Sequence, residues 1–218
     1  MDGRPIGAAL AVILIAIPVA ILGTRDRGDD VPRAVSAPAE QLPDDLDLTV
    51  GMANPESGEP VVATDRGVGL SRLTFCGRPS PFAGDRRTDQ LSAEANGPEY
   101  ADLREVVLYA DGDAAQSVLT GLLEVARACA REDWGSGSVT LTEVRSWPTG
   151  DDAAIVARTY EQDGMMALGA EILHFARIGN ALLAASTYAE WAPGSNLELG
   201  IAQQSDALQP VLHQLKSR

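Results

Sequence analysis

The chain predicts an α+β protein: an antiparallel sheet with flanking helices, preceded by an N-terminal transmembrane helix and a disordered linker. Three observations carry that reading. Ile6 to Gly23 is an apolar run without a charge or strongly polar side chain. Residues 113–130 show helical apolar spacing, and residues 139–188 read as four strands separated by glycine-containing turns.

The N-terminal run comes first. At 1.5 Å per residue it spans about 27 Å, close to a hydrocarbon core. A cleaved signal peptide is the competing reading, but Pro18-Val19-Ala20 places proline where a small residue is wanted, and Ala37-Pro38-Ala39 lies far from the apolar core. No cysteine follows that would anchor a lipid. The expectation is an uncleaved signal anchor over residues 6–23, with residues 1–5 as a short cytoplasmic N-terminus. Positive charge does not orient it, because Arg4 and the amine on one side balance Arg25 and Arg27 on the other.

Residues 24–69 follow as an acidic, proline-rich linker. Pro32, Pro38, Pro43, Pro55 and Pro60 interrupt helices, and from Thr24 to about Pro60 apolar residues are sparse. Leu46 to Met52 is the one stretch suited to pairing with the domain as a short strand. Asp44, Asp45 and Asp47 lack the glycine turn and closing glutamate of an EF-hand and read as a solvated cluster.

The domain is expected over residues 70–218. Leu73 to Cys76 reads as a strand ended by Gly77, and Leu103 to Ala110 as another, with Val106, Leu108 and Ala110 on one face. Between them lies a polar stretch, Arg78 to Pro98, with a short strand or helix around Leu91. Asp113 is placed as helix N-cap with Gln116 as its box partner; Val118, Leu122, Val125 and Cys129 then share the inward face. Glu132 to Ser138 reads as a glycine-serine loop. Strands follow at Val139 to Ser146, Ala153 to Glu161, Met166 to Arg177 and Ala181 to Tyr188. Asp163-Gly164 and Gly179-Asn180 make the last three antiparallel neighbours. Leu197 to Leu215 closes the domain as helix, broken or restarted at Pro210. A curved sheet with helices on one side is the expected arrangement.

Cys76 and Cys129 are the only cysteines. An even pair beyond a membrane segment points to a disulfide; two buried free thiols are the alternative. A disulfide would place the domain in an oxidising compartment, hence extracytoplasmic on a single-pass chain in the cell membrane. Net charge is −14, and phosphates repel such a surface, so nucleic acid is excluded as a partner.

Catalytic chemistry finds little support. His174 sits mid-strand on a face with Leu168, Ile172 and Ala176, the pattern of a core histidine, and His213 lies in the last helix. Two separated cysteines and two distant histidines match no zinc spacing. No serine occupies a strand-turn-helix elbow, and Gly67-Val68-Gly69 lacks the rest of a phosphate loop. Neither catalytic nor metal residues nor a cofactor are expected. Trp134, Trp147 and Trp191 either line a ligand cleft or cap the core, and Met165 and Met166 either offer an apolar contact or pack at an edge.

Three stretches carry a resemblance: LTFCG at Leu73 to Gly77, EVVLYADGDAAQSVLTGLLEVARAC at Glu105 to Cys129, and HFARIGNALLAAS at His174 to Ser186. Over Leu70 to Leu215 the chain resembles the actinobacterial PknH-like extracytoplasmic sensor domain family, carried by Ser/Thr kinases and found in stand-alone lipoproteins and single-pass proteins. The resemblance implies an antiparallel sheet with flanking helices and a cleft for an unidentified ligand. Two departures matter: no kinase domain lies within these residues, and the kinase-linked type has two disulfides where this chain can form one. No ligand residues carry over. The expected function is a membrane-tethered, non-enzymatic sensor-like domain binding a small molecule or an envelope protein. The alternative is an envelope carrier of a lipid or other apolar molecule, which needs a deep pocket lined by Leu, Ile, Met and Trp.

Overall fold

A computed structural model describes residues 39–52, 62–64, 70, 73–81, 87–149, 152–191 and 194–217. The 6–23 run and Gly67-Val68-Gly69 lie outside the described residues. Among the described residues no helix is long and apolar enough to cross a membrane.

The strands are β1 (Val62–Thr64), β2 (Thr74–Phe75), β3 (Arg78–Pro79), β4 (Arg87–Gly97), β5 (Tyr100–Tyr109), β6 (Arg131–Gly135), β7 (Ser138–Ser146), β8 (Ala153–Gln162), β9 (Met165–Ile178) and β10 (Ala181–Ala189). The helices are α1 (Gly112–Ala128) and α2 (Ser195–Lys216). Eight strands form one antiparallel sheet in the order β1-β4-β5-β10-β9-β8-β7-β6, and β2 pairs with β3 alone. The compact turns at Asp163-Gly164 and Gly179-Asn180 join β8 to β9 and β9 to β10 as the sequence predicts. Strand β10 is central, with Leu183 opposite both Val106 and Ala176.

The helices cover opposite faces, correcting the one-sided arrangement. Successive residues of the central strands enter separate cores. Val107, Leu173 and Leu182 pack under α1 with Val118, Leu119 and Leu122. Val106, Ile172 and Leu183 pack under α2 with Leu208, Val211 and Leu212. This is why β5, β9 and β10 carry continuous apolar runs where a half-buried strand would alternate.

Local departures have physical causes. The N-cap of α1 is Asp111, not Asp113: its extended backbone lets Oδ1 accept from the Ala114 amide at 2.7 Å. Gln116 instead accepts from Arg177 Nε at 2.8 Å. The expected 132–138 loop contains edge strand β6, and β4 is an extended strand rather than a short element around Leu91. Helix α2 runs unbroken through Pro210. An internal proline costs about 3 kcal/mol, while burial of Leu208, Val211 and Leu212 contributes about 2 kcal/mol each. Leu168 is 67% exposed rather than on the face of Ile172, because a register shift between Thr159 and Glu161 interrupts the alternation. Gly169, opposite this shift, has φ +96°, and a Cβ there would meet the Tyr188 hydroxyl at 2.6 Å.

The linker boundary at residue 69 is also corrected. Residues 39–52 form a strap on the α2 face, and β1 joins the sheet. Leu46 and Leu48 are buried in the core under α2, and the segment holds turns rather than the expected strand. The Ala39 N–H donates to the Asn180 side-chain Oδ1 at 3.1 Å, and the Ala39 carbonyl accepts from Asn180 Nδ2 at 2.8 Å. The buried Arg104 side chain donates to the carbonyls of Leu48 at 3.1 Å and Val50 at 2.6 Å and pairs with Asp102 at 3.2 Å. Within the former acidic cluster, Asp47 accepts from the Thr49 amide and hydroxyl at 2.8 and 2.6 Å, which holds its carboxyl below the usual range.

Candidate functional site

Cys76 and Cys129 are joined, with Cα atoms 5.7 Å apart. Cys76 and Gly77 both take positive φ, forming the two-residue turn between β2 and β3. The bridge therefore ties this hairpin to the end of α1. Among the described residues, Cys76, Cys129 and Glu132 cluster as metal ligands would, but the two sulfurs are bonded to each other.

A cavity of about 330 Å³ opens beside the bridge. Thr74, two residues before Cys76, and Glu132, three after Cys129, line it. The sheet supplies its floor. Register places Thr140 of β7 opposite Tyr160 of β8, and Arg158 lies two residues back on the same face. Arg158 is held on three sides: it donates to Glu171 at 3.0 Å, donates to the Thr74 carbonyl, and lies 4.4 Å from the Phe75 ring centroid. Burial pushes the Tyr160 hydroxyl up to about 12, with Glu171 adding to the effect, so it remains a proton donor at neutral pH. Trp134 of β6 completes the rim. Its ring is 63% exposed, yet its Nε1 donates to Thr140 Oγ1 at 2.9 Å.

A second cavity, about 450 Å³, lies along α2. Ser205 and Trp147 line it, and His174 lies beneath. His174 Nε2 is 3.0 Å from Ser205 Oγ, and its ring meets that of Trp147 edge-on at 4.7 Å. The sequence reading does not pair this serine and histidine. Among the described residues buried Nδ1 has no hydrogen-bond partner, so no third member of a triad is seen there, and burial drives His174 down to about 3. A neutral imidazole that resists protonation is a weak base for a serine. His213 is exposed in α2.

The three tryptophans thus have different fates. Trp147 is 4% exposed and belongs to the core, and Trp191 packs against Gly200 of α2. Trp134 alone of the three reaches the disulfide-side cavity. Met165 and Met166 are exposed, so edge packing does not account for them. Thr140, Arg158 and Tyr160 were not singled out in the sequence; strand register is the signal that unites them.

No family model matches the chain. No curated protein matches it in sequence. In fold it is similar to the crystal structure of the extracellular domain of PknH from Mycobacterium tuberculosis, at 13% identity and a TM-score of 0.48, over 73% of this chain and 79% of that one.

Proposed function

We propose that this protein is a non-enzymatic binding domain displayed outside the cell membrane, tethered through the 6–23 run and the residues that follow it. The observation that carries the proposal is the Cys76–Cys129 disulfide framing an open cavity. Disulfides persist in oxidising compartments, and this one holds the hairpin that forms a cavity wall. A small molecule or a segment of an envelope protein is the partner. That no orienting group meets His174 Nδ1 among the described residues supports a non-catalytic role for the histidine–serine contact.

The carrier alternative requires a deep apolar pocket. Among the described residues, the disulfide-side cavity sets hydroxyl and charged groups around a single tryptophan, and the α2 cavity mixes Trp147 and Ile155 with Arg145 and Glu198. Neither favours a lipid.

Intact cells treated with a membrane-impermeant maleimide test the proposal. Cys76 and Cys129 should label only after exposure to an impermeant reductant. Thiols that are free and label only after lysis would overturn it.

A further inference from the structure

The disulfide-side cavity has a composition that selects among ligand classes. Trp134 is largely exposed, and the hydrogen bond from its Nε1 to Thr140 ties the ring to β7. Ser138, Thr140 and Tyr160 add hydroxyls beside it, and Glu132 adds an acceptor. Hydroxyls donate and accept, so the wall can satisfy a ligand rich in both.

Two other classes fit less well. An anion would need free positive charge. Both terminal nitrogens of Arg158 are taken, by Glu171 and the Thr74 carbonyl, its Nε is buried and the group lies over the Phe75 ring, while Glu132 and the net charge of −14 repel anions. An apolar ligand would cover the hydroxyls without replacing their hydrogen bonds to water, which is unfavourable. A sugar ring avoids both penalties: its C–H face stacks on an aromatic plane while its hydroxyls pair with the surrounding polar groups. A cavity of about 330 Å³ is small for a ligand site, suiting one or two sugar rings at a time.

We infer that this cavity binds a neutral saccharide unit, with Trp134 as the stacking platform and Glu132, Ser138, Thr140 and Tyr160 as its polar partners. The inference rests on the binding-domain reading above and names the ligand class of that same cavity.

The test uses the full chain in a detergent without a sugar headgroup. Neutral hexasaccharides of glucose, mannose, galactose and arabinose are titrated against it, with an anionic uronic-acid hexasaccharide as control. Tryptophan fluorescence and calorimetry read binding. At least one neutral saccharide should bind, and Trp134→Ala should weaken it by about tenfold or more. Trp134→Phe should retain part of the affinity. An unchanged melting temperature in Trp134→Ala, expected for so exposed a ring, separates lost binding from lost fold. Binding of the anionic saccharide alone, neutral binding indifferent to Trp134→Ala, or no binding by any saccharide would each overturn the assignment. None of these outcomes touches the thiol topology on which the broader reading stands or falls.

Discussion

The two faces of the sheet are covered by similar parts held in different ways. On one face lie α1 and the β2–β3 hairpin; on the other lie α2 and the 39–52 strap. A covalent bond between Cys76 and Cys129 secures the hairpin. The strap is held by a buried arginine that reads two of its carbonyls. The tryptophans follow the same division. Trp147 disappears beneath α2, whereas Trp134 projects beside the disulfide. Each face carries a cavity, but the one beside the disulfide has a covalently fixed wall, whereas the one along α2 is bounded by packed side chains such as Trp147 and Ile155. The strap face depends on burial to hold its cover.

Breaking the disulfide should have the largest effect. Replacing both cysteines with serine should cost about 4 kcal/mol, since the bridge closes a loop of 53 residues. Urea denaturation measures the total. Hydrogen exchange locates it: the Ser80 amide, which donates to the Leu73 carbonyl, should lose protection, while the strap amides of Leu46 and Met52 retain theirs. Equal loss on both faces would show that the two covers do not act separately.

The strap is tested next. Arg104→Met should cost about 3 kcal/mol, because it leaves Asp102 buried without its partner and strips the donor from two carbonyls. Here the Leu46 and Met52 amides should exchange faster while Ser80 stays protected. Replacing Asp102 with Leu in the same molecule should restore part of the loss, as removing both charges removes the unpaired one.

What the sequence reveals follows the same physical lines. Strands β7 to β10 were readable because apolar runs alternate with turn residues, and α1 because its inward positions repeat at helical spacing. Strand β4 was hidden: Ser92, Ala93 and Ala95 are buried but too small or polar to give an apolar signal. Strand β6 was hidden by the glycines beside it, which belong to its turn. Two-sided burial was present in Val106-Val107-Leu108 but resembles one face when only alternate residues are counted. Of the disulfide-side cavity, Trp134 was a candidate from residue type alone. Its companions come from β2, β7 and β8 as well as its own β6, and strand pairing with the Cys76–Cys129 bridge assembles them. The strap was legible in part: Leu46 to Met52 was expected to pair with the domain, but as a strand, and its packing as turns depends on a groove built from the rest of the domain.

The sharpest comparison of the faces is electrostatic. Among the titratable side chains buried at the sheet, Glu105 and His174 lie on opposite faces. Glu105 points to the α1 face, near Arg87 at 3.8 Å, with neither carboxyl oxygen hydrogen-bonded among the described residues. Burial raises it from 4.5 to about 7, against the pull of Arg87. His174 points to the α2 face, where burial lowers it from 6.5 to about 3. The signs oppose. Folded Glu105 keeps a proton between pH 4.5 and about 7 that the unfolded chain has lost, so its contribution makes stability fall as pH rises through that window. The unfolded chain protonates His174 below pH 6.5 while the folded chain does so only near 3, so this contribution makes stability rise with pH. From pH 4.5 to 6.5 the two should nearly cancel, each at about 1.4 kcal/mol per pH unit. Glu105→Gln should uncover a rising slope and His174→Gln a falling one, and the double variant should lie close to the parent. Asp102 is also raised by burial, and Asp47 and Glu143 are lowered by their hydrogen bonds, but these groups are common to all four proteins and drop out of the differences. Urea denaturation at pH 4.5, 5.5 and 6.5 supplies the slopes. Single variants that run parallel to the parent would mean that neither face excludes water from its ionisable group, and the division between the two cores would lose its electrostatic support.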